Sequence, residues 1–535
     1  MYGRLLRFRL RRDRVQLLVW GLVLFLMTYT VGTEVRTSWG TAAERASMVK
    51  VMTVTPAILL FRGTPQGTSE GDLMALLGMS FIALLVMFQL VFLVTRHTRA
   101  EEQTGQTETI ASTVAGRLAP SYAVLTLALI ATVIAWVAIT LGCLANGLPA
   151  GGSALFGAGA AFAGLSFAGV TFLLAQLFPA SRTVNGWAVT LAVVSYFVRG
   201  IGDAGSTIHT ENLTATPLWI TWLSPIGWAQ ATRPWALNRV WPLALGTLLF
   251  AVCTVVALAI QDRRDVGAGV MAERKGRPAA PGSLLGTVGL ALRLERGSLI
   301  AWIIAVIATA MLMGSLAGSV VDQLASAGGG AAAMIEHFGG GGPIVMAFVN
   351  IGAVFSGMLA SAICVQGAIR LRQEEIAQGA DAVLSTAASR AKWMLSFLLV
   401  AAVGSIVSLV LGGLVAGVLS TSASGGFHTW FWAIVWQIPA VLMFLGVVAV
   451  VFAVLPRATA GVGWAVFGLS ILFGMFGPLL GMPAWTSKLT PFMHVPAIAL
   501  PHPQFTGGWV MVGISVVLVA ASVLLFRLRD TKPGA

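Results

Sequence analysis

Long apolar stretches recur along the chain and are separated by shorter polar segments. Each stretch has the length that a helix needs to cross the hydrocarbon core of a bilayer. The pattern predicts twelve transmembrane helices, at 17–33, 73–95, 121–146, 153–178, 185–203, 241–260, 299–317, 346–369, 393–420, 429–455, 461–480 and 509–526. Only 10% of the residues are charged, whereas a soluble domain has about 25%. We therefore predict an all-α polytopic membrane protein that sits in a lipid bilayer.

The charged side chains divide unevenly between the two sides of the membrane. With a cytoplasmic N-terminus and twelve crossings, 25 of the 33 Lys and Arg residues and 12 of the 20 acidic residues fall inside. Eight of each sign remain outside, so the inner side carries the whole net charge of +13. This is the positive-inside bias of membrane proteins, and it requires no nucleic-acid partner. We expect both termini to be cytoplasmic.

The two halves of the chain resemble each other in sequence. Residues 99–117 align without a gap with 372–390, with seven identities in nineteen positions. Three further matches follow in chain order, pairing 10–20 with 292–302, 178–189 with 455–466, and 217–225 with 483–491. The repeat predicts two parallel, pseudo-symmetric six-helix halves, 1–260 and 291–535, joined by a cytoplasmic linker at 261–290.

An acidic segment follows the second span of each half. Glu101 and Glu108 are seven residues apart, and Glu374 and Asp381 are too, so each pair lies on one face of a helix. Anionic lipid would repel such a face. We predict an exposed helix that docks a soluble partner, with a solvated connector as the alternative.

This segment resembles the coupling helix of ABC-2-type permeases, which have the type V exporter fold and carry E-E-x-x-G-x-x-E at this place. Glu101, Glu102, Gly105 and Glu108 fit the motif, whereas in the second half the glycine is displaced to Gly379. The stretches RHTRAEE (96–102), VRGIGD (198–203) and SPIGWAQATRPW (224–235) are similar to actinobacterial permeases of the tetronasin type, which export polyketide antibiotics.

The resemblance implies a permease of an ATP-driven multidrug exporter in a bacterial plasma membrane, with a hydrophobic or amphipathic cargo. No lysine of this chain follows a glycine, so a Walker A loop is absent. ATP and Mg²⁺ would be bound by two copies of a separate ATPase, docked on helices 100–117 and 373–390. The chain itself would be no enzyme and would bind no cofactor. The resemblance also implies elbow helices at 4–16 and 286–298, where ordinary topogenic arginines are the alternative.

The residues expected to couple the chain to the ATPase are Arg99, Glu101, Glu102, Glu108, Arg117, Arg372, Glu374, Glu375, Asp381 and Arg390. We expect the three glutamates of the first copy to be exposed. Their removal should then uncouple ATP hydrolysis from export without unfolding the membrane region.

The predicted spans have neutral centres. A proton-driven secondary transporter usually keeps buried carboxylates there, so this pattern argues against that alternative. A non-transporting membrane scaffold is a further alternative. The predicted substrate path consists of Phe88, Gln89, Phe92, Tyr196, Phe197, Asn350, Phe355, Phe473 and Phe476. Packing and hydrogen bonds between helices are the other interpretation of these residues.

Arg199 and Asp203 lie four residues apart at the outer end of the fifth span, where they form either a structural ion pair or an outer gate. Tryptophan and proline residues at 217–235 and 483–503 predict interfacial structure over the outer exit. The three cysteines lie in predicted spans and the histidines have no ligand-like spacing, so we predict no metal site.

Overall fold

The computed structural model describes residues 2–53, 56–111, 118–264, 267, 269–271, 279–327, 344–420, 425–476, 484–498 and 503–529. Twelve helices among these residues are long and apolar enough to cross a membrane. This confirms the prediction of an all-α polytopic membrane protein. By its internal contacts the chain divides into two units, Met1–Lys275 and Gly276–Ala535.

The first unit contains six spans, numbered in chain order. They are span 1 (Tyr2–Ser38), span 2 (Glu70–Gln103), span 3 (Ala119–Ala145), span 4 (Ala150–Leu177), span 5 (Ser181–Ala204) and span 6 (Pro242–Arg263). Between spans 1 and 2 lie two short helices, Ala42–Thr53 and Pro56–Arg62. Helix Gln106–Ala111 follows span 2. Strands Thr207–His209 and Thr214–Thr216, the 3-10 turn Trp219–Leu223 and helix Pro225–Ala231 follow span 5.

The second unit contains the other six spans. They are span 7 (Thr287–Ser315), span 8 (Phe348–Ile376), span 9 (Arg390–Leu419), span 10 (Gly426–Val454), span 11 (Pro456–Gly474) and span 12 (Thr506–Leu528). Span 7 belongs to helix Thr287–Ala327 and span 8 to helix Ile344–Ile376. Span 10 is broken into helices Gly426–Val435 and Ile438–Val454, and span 11 contains helix Thr459–Ile471. Shorter helices are Gly379–Leu384 and Ala484–Ser487, with 3-10 turns at Gly282–Leu284, Pro456–Ala458 and Pro491–His494 and a π turn at Leu472–Phe476.

Span 4 forms the centre of the first unit, and its surface is rich in small residues. It packs against spans 2, 3 and 6. A Cβ atom added at Gly164 would lie 2.5 Å from Val86 of span 2, and one at Gly169 would lie 2.8 Å from Phe250 of span 6. Helices in a bilayer approach closely where such small residues meet, so these glycines set the spacing of the spans.

The same pairs of spans pack together in both units. In the first unit, span 1 contacts spans 2 and 3, span 4 contacts spans 2, 3 and 6, and span 2 contacts span 5. In the second unit, span 7 contacts spans 8 and 9, span 10 contacts spans 8, 9 and 12, and span 8 contacts span 11. The two units therefore share these main helix pairings.

The segments expected as elbow helices are continuous with the spans that follow them. Residues 4–16 are the start of helix Tyr2–Ser38, and 287–298 are the start of helix Thr287–Ala327. In the first unit, Arg9 and Asp13 of this segment are buried. Their side chains contact span 2, and this packing keeps the segment in line with its span.

Candidate functional site

Each unit has a polar loop after its second span, which we define as residues 96–111 and 370–384. In the first polar loop the helix changes to π geometry at Arg96–Ala100, and a short turn of α-helix follows at Glu101–Gln103. The helix is then interrupted at Gly105, whose φ of +73° suits glycine. In the second polar loop the α-helix runs to Ile376, and the left-handed residue is Gln378, with a φ of +59°.

The left-handed position therefore occurs at the same place in both copies. Gln378 is the residue that aligns with Gly105 in the repeat. Gly379, which the sequence comparison took for the displaced glycine, instead opens helix Gly379–Leu384. A Cβ atom at Gly379 would lie 2.5 Å from a carboxylate oxygen of Glu374, so this glycine makes room for that side chain.

Glu101 is buried, which contradicts the expectation that it is exposed. Its Oε2 atom accepts a hydrogen bond from Arg9 Nη2 at 2.7 Å. Its Oε1 atom lies 3.1 Å from Arg12 Nη1 and 2.9 Å from His97 Nδ1. The prediction failed because the basic start of span 1 packs directly against the end of span 2. The carboxylate thus neutralises the buried Arg9, and it also pairs with Arg12, which is exposed.

Asp13 extends this network along the interface of spans 1 and 2. It lies 3.2 Å from Arg96 Nη1 and also contacts His97 Nε2. Arg9 in addition donates to the carbonyl of Pro120 at 2.6 Å, which brings in the start of span 3. We refer to these residues as the Glu101 cluster: Arg9, Arg12, Asp13, Arg96, His97 and Glu101. Sequence reasoning missed Arg9, Arg12, Asp13 and His97, although the i,i+4 pairs Arg9–Asp13 and His97–Glu101 were visible signals.

Glu102 is paired with two arginines, so its expected exposure is also wrong. Arg99 Nη1 donates to Glu102 Oε2 at 2.7 Å, and Arg264 Nη2 donates to Glu102 Oε1 at 2.6 Å. Arg99 also donates to the carbonyl of Ala175, and Arg264 Nε to Gln176 Oε1 at 2.8 Å. This charge triad, Arg99–Glu102–Arg264, joins the ends of spans 2, 4 and 6.

The second unit contains the corresponding charge triad, Arg372–Glu375–Arg529. Arg372 Nη1 donates to Glu375 Oε2 at 2.9 Å, and Arg529 Nη2 contacts Glu375 Oε1. Arg529 also donates to the carbonyl of Phe452 at 2.7 Å. Glu375 is only 6% exposed, so the expectation of an exposed acidic segment is wrong at this residue. The triad again joins the second, fourth and sixth spans of its unit.

Sequence reasoning missed the third member of each triad. Arg264 is the first residue after the sixth helix of its unit, and Arg529 is the first residue after the sixth helix of the other. This shared position in the two halves is a sequence signal from which the third member of each triad could have been predicted.

The remaining predicted coupling residues have different environments. Glu108 and Asp381 are exposed. Glu374 is half-buried and pairs with Arg370 at 2.6 Å. Arg390 donates to the carbonyl of Arg529 at 2.6 Å, and Arg117 lies outside the described residues. The exposed carboxylates of the two loops are thus separate from the paired ones.

The predicted path residues lie on several spans within each unit. In the first unit, Phe92 and Phe197 are 43% and 42% exposed, and Phe88 is half-buried. Tyr196 is buried and donates to the carbonyl of Phe61. Gln89 is buried, and neither of its amide atoms has a hydrogen-bond partner among the described residues.

In the second unit, Asn350, Phe355 and Phe473 have intermediate exposure. Phe476 ends the π turn Leu472–Phe476, and its side chain lies outside the described residues. The geometry within each unit therefore leaves the substrate path as a prediction.

Arg199 and Asp203 form a fully buried ion pair with a 3.0 Å contact. Arg199 Nη2 also donates to the carbonyl of Leu60 at 2.9 Å, and Thr221 Oγ1 donates to Asp203 at 3.2 Å. The pair therefore ties helix Pro56–Arg62 and turn Trp219–Leu223 to span 5.

Two comparisons with known proteins place these features in a family. A family model described as the C-terminal domain of the multidrug efflux system permease Rv1217c matches residues 284–527. The whole chain is similar to the multidrug efflux system permease protein Rv1217c of Mycobacterium tuberculosis (strain ATCC 25618 / H37Rv). The two are 33% identical over 536 residues, which cover 99% of this chain and 95% of that protein. The chain belongs to the Rv1217c multidrug efflux permease family.

The expectation of a multipass multidrug efflux permease is thereby confirmed at the level of the family. Within this Rv1217c-family permease, one buried carboxylate stands apart from the clusters above. Glu295 of span 7 is 4% exposed, and its Oε1 atom has no hydrogen-bond partner among the described residues. It aligns in the repeat with Asp13, which is paired.

The described part of this Rv1217c-family permease has no metal-binding cluster. No group of three or more His, Cys, Asp and Glu residues in that part could hold a metal ion. Cys143, Cys253 and Cys364 are buried and form no disulfide.

Proposed function

We propose that this chain is the membrane-spanning subunit of an ATP-driven exporter with the ABC-2-type, type V fold. Its cargo is a hydrophobic or amphipathic compound, and polyketide antibiotics of the tetronasin type are our specific proposal. Two copies of a separate ATPase bind ATP and Mg²⁺. The complex lies in a bacterial plasma membrane with both termini of this chain in the cytoplasm.

One observation carries the proposal: both units contain the same charge triad beneath the same acidic loop. In each unit a glutamate of the polar loop contacts an arginine that follows the sixth helix. A push on either loop is therefore transmitted to the second, fourth and sixth spans together. This suits a loop on which a soluble motor acts. The relative's name, permease of an efflux system, further supports a complex with other components.

The paired and exposed carboxylates have different roles in this proposal. Glu101, Glu102 and Glu375 hold the loops to the spans and are unavailable to a partner. Glu108 and Asp381 are exposed, and they present the negative charge that a basic groove on the ATPase would bind. The docking surface therefore consists of helices Gln106–Ala111 and Gly379–Leu384.

A co-purification experiment tests this division. The tagged chain would be isolated from its native membrane at low salt, and the bound ATPase would be counted per chain. The double variant Glu108→Ala/Asp381→Ala should recover less ATPase and export less cargo, with an unchanged yield of folded permease. Glu211→Ala, which removes an exposed carboxylate between the two strands at the opposite end, is the matched control.

Equal ATPase recovery from the double variant and the wild type would contradict the docking assignment. Recovery of no ATPase from the wild type, together with export that needs no ATP, would contradict the ATP-driven mechanism itself.

The cargo class is supported by the aromatic side chains along spans 2 and 5. Phe92 and Phe197 expose ring surface, and the unpartnered amide of Gln89 lies on the same span as Phe92. We expect Phe92→Ala and Phe197→Ala to lower export of a lipophilic dye while ATPase recovery stays unchanged. Unchanged export from both variants would place the path elsewhere.

A proton-driven secondary transporter is the second candidate, and Glu295 is the observation that favours it. A buried carboxylate without a hydrogen-bond partner is a typical proton-binding group in transporters. Purified chain in vesicles with a proton gradient and no ATP would be tested for dye transport. Transport that is lost in Glu295→Gln would support this candidate, and its absence in the wild type would exclude it.

A further inference from the structure

A polar pocket lies in the first unit, at the end opposite the polar loop. It has a volume of about 170 Å³. Its wall is formed by the segment before span 2 and by the residues between spans 5 and 6. The side chains that matter below are Gln66, Trp222, Gln230, Arg233 and Arg239. No function described above uses this pocket.

Two arginines of the pocket have no partner among the described residues. Neither Arg233 nor Arg239 is within 4.0 Å of a described carboxylate, and neither guanidinium donates a hydrogen bond to a described atom. Burial, and secondarily the positive charge of Arg239, lower the pKa of Arg233. The nearby acid, Asp203, is already paired with Arg199 and Thr221. The pocket therefore presents two positive charges, the half-buried Arg233 and the exposed Arg239, that no described carboxylate neutralises.

Two amide oxygens of the pocket are also unsatisfied. Gln230 is 8% exposed, and its Nε2 atom donates to Ser80 Oγ at 3.0 Å. Gln66 Nε2 donates to the carbonyl of Gln230 at 3.0 Å. These two bonds fix both amides, and each Oε1 atom is left without a donor. Buried acceptors are costly to leave unpaired, so the pocket offers acceptors as well as positive charge.

The arginines are carried by a strained turn. Arg233, Trp235 and Asn238 have φ values of +44°, +64° and +48°. This left-handed region is unfavourable for residues other than glycine. The turn is held by the amides of Leu237 and Asn238, which both donate to the carbonyl of Arg233 at 3.0 Å. Backbone strain of this kind is common at binding sites, where it holds a side chain in the orientation that the ligand requires.

We propose that this pocket binds an oxyanion, a phosphate or carboxylate group, on an amphipathic molecule. Arg233 and Arg239 would bind the anion, since guanidinium groups match the geometry of its oxygens. Gln66 and Gln230 accept hydrogen bonds from a hydroxyl or ammonium group of the same molecule. Trp222 contacts its apolar part. A lipid headgroup and a free amphipathic anion share this chemistry.

Binding would be measured on the purified full-length chain in a neutral detergent. The probes are dodecyl phosphate, sodium laurate and nanodiscs of phosphatidylglycerol or phosphatidylcholine, and the readout is the shift in melting temperature with probe concentration. We expect the anionic probes to raise the melting temperature of the wild type. In Arg233→Gln/Arg239→Gln the half-saturating concentration should rise by about tenfold or more, equivalent to at least about 1.4 kcal/mol. Arg182→Gln, an exposed arginine at the polar-loop end, is the matched control.

Two further variants separate binding from folding. Arg233→Gly removes the anion ligand and relieves the strain, so it should melt at a higher temperature without probe and bind the probe more weakly. Arg239→Gln alters an exposed side chain, so it reports on binding even if the double variant folds poorly.

The probe that raises the melting temperature shows whether the anion is a lipid headgroup or a free amphipathic molecule. Stabilisation by phosphatidylglycerol over phosphatidylcholine, lost in the variants, assigns a lipid headgroup. Stabilisation by dodecyl phosphate or laurate alone, lost in the variants, assigns a free amphipathic anion. Equal responses in the wild type and Arg239→Gln, or a lower melting temperature in Arg233→Gly, would overturn the proposal.

Discussion

The two polar loops are similar in sequence but hold their charges differently. Both contain a charge triad, Arg99–Glu102–Arg264 or Arg372–Glu375–Arg529, in the same place. Among the residues that the structure describes, only the first has a buried cluster around its other glutamate. Glu101 contacts Arg9, Arg12 and His97, whereas Glu374 contacts Arg370 on its own helix and stays partly exposed.

The comparison distinguishes an attachment that both loops have, the charge triad, from one that is described for the first loop, the Glu101 cluster. The triads attach each loop to the sixth helix of its unit, so we infer that this attachment is required for the shared function. The Glu101 cluster adds a second attachment, to spans 1 and 3, which in the described part of the chain occurs in the first unit alone. The first loop is therefore expected to be the more rigid of the two.

The largest expected effect is the loss of Glu101. Glu101→Ala leaves Arg9, only 1% exposed, without its carboxylate. Breaking a buried ion pair in this way costs about 3–5 kcal/mol. Glu374→Ala removes a half-exposed pair and should cost less than about 1 kcal/mol. Thermal unfolding of both variants in detergent measures the contrast.

A double variant shows whether the loss of stability comes from the unpaired charge of Arg9 or from mutation at this position in general. Arg9→Leu/Glu101→Leu removes both charges, and it should recover part of the stability that Glu101→Ala loses. Equal losses in Glu101→Ala and Glu374→Ala would mean that the two loops are held alike.

The triads should give smaller and equal effects. Glu102→Ala and Glu375→Ala each leave two arginines without their shared carboxylate, and each should lower the free energy of unfolding by about 3 kcal/mol. The measurement is the same thermal unfolding, with Glu211→Ala as an exposed-carboxylate control that changes stability by less than about 0.5 kcal/mol. A neutral result for one triad would show that the attachment is not shared.

The smallest effects concern the turn residues. Gly105 and Gln378 occupy the same left-handed position, and a Cβ atom at Gly105 would meet nothing within 4 Å. Gly105→Ala should therefore destabilise the first loop by about 1 kcal/mol through backbone strain alone, and Gln378→Gly should stabilise the second by about 0.5–1 kcal/mol. Melting temperatures that move in the same direction for both variants would rule out this explanation.

Hydropathy predicted the fold well because span length and polarity are local properties of the sequence. All twelve predicted spans overlap helices that the structure describes as candidate spans. The burial of residues at the ends of the spans was less predictable. Residues 4–16 look like solvated basic residues, yet Arg9 and Asp13 are buried because span 2 supplies His97 and Glu101 opposite them. Such pairing depends on which helices pack together, and hydropathy does not contain that information.

The candidate site shows the same limit. The repeat drew attention to the two acidic loops, but it treated their carboxylates as equivalent. Glu102 and Glu108 differ because Arg264, far along the chain, reaches one and not the other. Sequence spacing places residues on a helix face, whereas burial decides which face is available to a partner.

The burial of these ion pairs has a consequence for how the protein behaves in salt. Exposed charges are screened over about 3 Å at 1 M ionic strength, whereas buried pairs are screened much less. The triads and the Glu101 cluster should therefore hold both loops in place in concentrated salt. A partner bound through Glu108 and Asp381 would dissociate there. A high-salt wash would then remove such a partner while leaving the loops folded, and a return to low salt would allow it to bind again.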